Sequence, residues 1–98
     1  MQQFMVIMKL PEFLTEEFVS LIPHQRIRIN ELMARGTLTS YSLAIDRSVL
    51  WATILGNSDG EVRDILQALP LTKFVGIEIH SLAFHNVMNV SMLQFSMN

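Results

Sequence analysis

Between Thr15 and His85 the hydrophobic pattern changes period in the order helix, strand, strand, helix, strand. An apolar run, Phe4–Leu10, stands in front of it, so the chain reads βαββαβ. This order constrains the fold more than any other feature. Strands that alternate with helices in this way pair into one sheet, and the helices must cover a face of it.

Phe4–Leu10 is apolar at almost every position, which suits a strand covered on both sides, and Pro11 ends it. Thr15 is placed to cap a helix whose first turn holds Glu16 and Glu17. Phe18, Leu21, Ile22, Ile29, Leu32 and Met33 recur at helical spacing, and Gly36 suits the position just past the helix end. Pro23 lies inside this stretch, which predicts a kink or two short helices meeting near Pro23-His24. Thr37–Ile45 and Ser48–Leu55 are rich in β-branched and aromatic residues, with Asp46-Arg47 as a tight hairpin turn between them. Ser58-Asp59-Gly60-Glu61 has the form of a capping box. Val62, Ile65, Leu66 and Leu69 follow as one face of a second helix that Pro70 stops. Leu71–Phe74 connects to a last strand, Val75–His85.

The expected architecture is α+β: a ferredoxin-like βαββαβ sandwich with an antiparallel sheet and both helices on one face. Residues 1–86 form this domain. Residues 87–98 are an apolar tail expected to pack on the domain or on a neighbouring subunit, as an added strand in one arrangement.

Of the 98 residues, 50% are hydrophobic and only 16% charged, against about 25% charged in an average soluble domain. So little polar surface predicts that a second copy covers an apolar face, giving a homodimer or a higher homo-oligomer. No apolar run approaches the ~18 residues of a membrane span, and no secretion signal is evident. The chain has no cysteine, which excludes disulfides and thiolate chemistry. A cytoplasmic protein is the expectation. The net charge is −2 and the basic residues are scattered, so no nucleic-acid groove is expected.

Side chains alternate along a strand, so Glu78 and His80 share one face of the last strand, with Leu82 and Phe84 continuing it. A carboxylate beside an imidazole can carry protons near neutral pH. The alternative is an interface pair. Tyr41, between serines and threonines in the second strand, is a candidate ligand hydroxyl, or a packed tyrosine with a satisfied hydroxyl. Trp51 and Phe84 are candidate ligand-binding aromatics, with burial as the alternative for Trp51. His24, His80 and His85 lack metal-ligand spacing, and the four isolated glycines form no phosphate loop; no metal and no cofactor are expected.

Three segments, taken in order, resemble a known family. Glu31-Leu32-Met33-Ala34-Arg35-Gly36 ends the first helix, Leu69-Pro70-Leu71 follows the second, and Gly76-Ile77-Glu78-Ile79-His80-Ser81-Leu82 makes the last strand. Together they resemble the muconolactone delta-isomerase family of the dimeric α+β barrel group, over roughly Phe4 to Asn86. The resemblance implies cofactor-independent proton shuttling on a small lactone, in a pocket between the sheet and a neighbouring subunit. Glu78 matches the pattern it implies. That pattern also has a polar or acidic residue in the first strand and a basic one late in the second, where this chain has Ile7 and Leu43, and His80 is not a usual family residue. Two further readings stay open: a non-catalytic small-molecule-binding or assembly module of the same fold, and a cofactor-free oxygenase.

Overall fold

The computed structural model describes residues 1–88. Its elements are β1 (Gln2–Lys9), α1 (Glu16–Ala34), β2 (Leu38–Leu43), β3 (Val49–Gly56), α2 (Asp59–Gln67), a single 3₁₀ turn (Thr72–Phe74) and β4 (Gly76–Ser81). The four strands form one antiparallel sheet in the order β2-β3-β1-β4. This is the βαββαβ sandwich that the alternation of periods requires.

Local chemistry sets the helix ends. Thr15 Oγ1 accepts from Phe18 N at 3.1 Å and starts α1. Gly36, at φ 76°, ends it. Gly36 N donates to Met33 O and Thr37 N to Leu32 O, both at 3.0 Å, the paired bonds of a Schellman motif. Ser58 Oγ caps α2 by accepting from Glu61 N at 3.1 Å. The Glu61 carboxylate reaches back, but to Asn57 N, one residue before the cap.

Three expectations need correction and one is narrowed. Of a kink or two short helices at Pro23, the second is excluded, since α1 is one helix of 19 residues with Pro23 inside it. Pro23 lies on the exposed side, and Val19, whose carbonyl loses its intrahelical donor, is exposed as well, so water can serve that carbonyl. The β2–β3 connection is a five-residue loop, Ala44–Ser48, rather than a two-residue turn. Arg47 takes φ 63° there, and Asp46 Oδ1 accepts from both Ser48 N (3.0 Å) and Ser48 Oγ (2.6 Å). β4 stops at Ser81 instead of His85. Leu82 N still bonds Gln3 O at 2.9 Å, and the pairing ends there although β1 continues to Gln2. Finally, β1 is covered on one face only: Phe4, Val6 and Met8 are buried, whereas Met5 and Ile7 on the other face are half-buried.

The core lies between sheet and helices. Phe4, Val6, Met8, Leu50, Ala52 and Ile54 face Ile29 and Leu32 of α1 and Val62, Leu66 and Leu69 of the α2 region. Gly56 lies where β3 meets α2. A Cβ there would stand 2.9 Å from Val62 Cγ2, so the close approach requires glycine. Tail residues 89–98 lie outside the described residues.

Candidate functional site

The strand register assigns every side chain to a face. Across the sheet, Ser42, Trp51, Ile7 and Glu78 form one row, and Ser40, Thr53, Met5 and His80 the next. Both rows lie on the face away from the helices, because their neighbours Ala52, Val6 and Ile79 are directed at the core.

On this open face Glu78 lies between two basic groups. Its Oε2 is 3.5 Å from His80 Nε2, and its Oε1 is 4.0 Å from Lys9 Nζ. The pairing of β1 with β4 brings these together: Lys9 is opposite Gly76, and Ile7 is opposite Glu78. The Glu78 and His80 side chains are 52% and 57% exposed, so in a lone chain solvent screens the pair and it contributes little to stability. What the cluster offers is chemistry: a proton acceptor, a group that is donor or acceptor by tautomer, and a fixed positive charge within about one residue's reach. Beside it lie the apolar Ile7, Met5 and Trp51, the last 41% exposed.

The other predicted residues are distributed differently. Trp51 shares the row of Glu78, separated from it by Ile7. Phe84 lies beyond the end of β4, 78% exposed, rather than continuing the Glu78 face as part of the strand. Tyr41 pairs with Ala52 on the helix side, so the sheet separates it from Glu78 and His80. It lines a small cavity of about 20 Å³ with Met8, Gln25, Leu50 and Leu71, among others. Burial raises the Tyr41 phenol above its ordinary pKa, and the Gln25 side chain opposes this less strongly. Strict alternation along β2 would put Thr39 on the same face as Tyr41. A register shift between Leu38 and Ser40 instead lets Thr39 Oγ1 and Ser40 Oγ both reach Thr53 Oγ1, each at 2.6 Å.

Two residues with clear roles were missed in the sequence. Lys9 could have been found by extending the period-2 face of β1 to its end and pairing β1 with β4. Gln25, only 7% exposed, gave no signal. Its Oε1 accepts from Leu71 N at 3.1 Å, which ties α1 to the turn after α2. Among the described residues, no group of three His, Asp or Glu side chains lies close enough to hold a metal ion. None of the described helices is long and apolar enough to cross a membrane.

The profile of the muconolactone delta-isomerase family matches residues 3–87. The chain belongs to this family. A crystal structure of muconolactone isomerase at 3.3 Å resolution has the same fold, with a TM-score of 0.70 at 22% identity, over 88% of this chain and 93% of that one. Comparison with curated protein sequences gave no significant match. The family match runs through β4 and therefore includes Lys9, Glu78 and His80.

Proposed function

We propose that this member of the muconolactone delta-isomerase family is a cofactor-independent isomerase of a small unsaturated lactone or a related molecule. A second copy would cover the open face in a cytoplasmic homo-oligomer and turn it into a pocket. The observation that carries this reading is the contact of Glu78 with both His80 and Lys9 on an otherwise apolar sheet face. Glu78 takes the proton alpha to the substrate carbonyl, and the electron pair of the broken C–H bond moves into the conjugated system. The protonated pair of Glu78 and His80 returns the proton at the far carbon. Atoms and charge balance without an oxidant or a metal. Trp51 and Phe84 would contribute apolar contact to the substrate. Tyr41 would act from the far side of the sheet, on the packing beneath the site.

The test is turnover of a panel of unsaturated lactones, followed by ultraviolet absorbance and by deuterium uptake from solvent. Glu78→Gln and His80→Ala are each expected to lower the rate by about 10²–10⁴-fold, the usual contribution of a positioned acid or base. Unchanged turnover in both variants would sink the proposal.

The alternative is a non-catalytic binding or assembly module. It is favoured by apolar residues at Ile7 and Leu43, where the implied family pattern is polar and basic. Wild-type protein that binds lactones without exchanging their protons would support it.

A further inference from the structure

The helix layer, on the side of the sheet away from Glu78 and His80, carries a cavity of its own. Arg28, Leu32 and Arg35 recur at helical spacing along α1 and its cap, with Glu31 beside them, so they share one stripe. Ile65, Ala68 and Leu69 recur in the same way at the end of α2. Between them these two stripes line a cavity of about 190 Å³ that opens to solvent.

Floor and rim differ in chemistry. Leu32 and Leu69 are buried core residues, and Ile65 packs against the same core. The rim is charged, and unevenly so. Arg28 Nη1 is 3.5 Å from Glu31 Oε2, whereas Arg35 forms no ion pair among the described residues. Two guanidinium groups against one carboxylate leave one positive charge at the mouth. Carbonyls at helix ends repel anions when they are left unpaired. Here Met33 O and Leu32 O accept from Gly36 N and Thr37 N, and Leu66 O accepts from Leu69 N and from Thr72 Oγ1.

We propose that this cavity binds a small organic monocarboxylate with a compact apolar body. An apolar cavity of about 150 Å³ holds benzene, so the space suits one body the size of a ring. That body rests on Leu32, Ile65, Ala68 and Leu69. Its carboxylate meets Arg35, whose planar fork matches two carboxylate oxygens. Glu31 selects against a second negative charge, and the apolar floor offers no partner to a phosphate. The sheet separates this cavity from Glu78 and His80, so binding here does not depend on any activity of the open face.

Titration with cyclohexanecarboxylate, followed through backbone amide shifts by NMR at constant ionic strength, tests this without reference to turnover. Saturable shifts are expected at Leu32, Ile65, Ala68 and Leu69, with the amides of Glu78 and His80 unmoved. Arg35→Gln should weaken binding about two- to five-fold, the effect of one exposed ion pair. Glu31→Gln releases Arg28 and should tighten binding by a similar factor. Both side chains are exposed, so the remaining amide shifts serve as the check that each variant is folded. Absence of saturable shifts overturns the proposal, as do shifts at Glu78 and His80 alone. Equal binding of the neutral cyclohexanecarboxamide or of inorganic phosphate also overturns it, and so does wild-type affinity in both variants.

Discussion

On the helix side of the sheet, Phe4, Val6, Met8, Leu50, Ala52 and Ile54 are closed off from solvent by α1 and α2. On the open side, the same strands present Lys9, Met5, Ile7, Trp51, Glu78 and His80, all partly or largely exposed. Within β1 and β3 residues of the two sets alternate, and in β4 Glu78 and His80 alternate with the core-packed Ile77 and Ile79. The difference shows that an apolar side chain on these strands has one of two roles, set by its phase within its own strand. On one side its burial is complete within the chain and stabilises the fold, at about 25 cal/mol per Å² of apolar area removed from water. On the other it remains partly exposed in the single chain.

The sharpest way to break this comparison is to truncate one residue from each side of the same strand. Ile54→Ala is expected to cost about 2–5 kcal/mol in urea unfolding. Trp51→Ala, three residues away, is expected to change the stability of the isolated chain by about 0.5 kcal/mol, while weakening self-association measured by sedimentation. Equal stability losses would show that the open face is closed within the chain itself.

Gly56→Ala sharpens the helix side further. The new methyl would stand 2.9 Å from Val62 Cγ2, and Val62 is β-branched and cannot easily turn away. The expected loss is about 1–3 kcal/mol, seen as a lower thermal midpoint. Gln25→Leu keeps the burial but removes the acceptor of Leu71 N–H. The orphaned donor should cost about 1–3 kcal/mol, read by the same unfolding measurement.

The smallest effect concerns Tyr41. Its pKa is raised in the folded state, so the folded chain holds the phenol proton more tightly than the unfolded chain. The resulting stability is fully present below the ordinary phenol value of about 10 and is lost as pH rises through the raised folded value. Tyr41→Phe should flatten that alkaline limb of the stability–pH curve. An unchanged limb would show that the phenol titrates as if exposed.

The element order was legible because each element carries its own period and its own stop signal, and Ser58 with Glu61 marked the start of α2 in the sequence. Three features were not legible, each for a physical reason. Pro23 is tolerated in α1 because the turn it disturbs lies in water, and a linear pattern does not state solvent exposure in advance. β4 ends at Ser81 although β1 runs on to Gln2, and nothing in the composition of residues 82–85 announces that stop. Of the candidate site, the shared face of Glu78 and His80 follows from period 2 alone. Lys9 required knowing which strand lies next to β4. Tyr41 shifted relative to Thr39 because the bulge changes the phase of β2, and a one-residue slip moves a side chain to the other face.

The bond from Leu71 N–H to Gln25 joins residues 46 positions apart in the chain. It closes a loop that contains β2, β3 and α2, so it forms only after both halves of the molecule have docked. A contact of that range belongs late on the folding path. Substitutions at Gln25 should therefore accelerate unfolding and leave refolding nearly unchanged. Faster unfolding with unchanged refolding, read by stopped flow, would make Gln25 a clasp that governs how long the folded chain persists and not how fast it is reached.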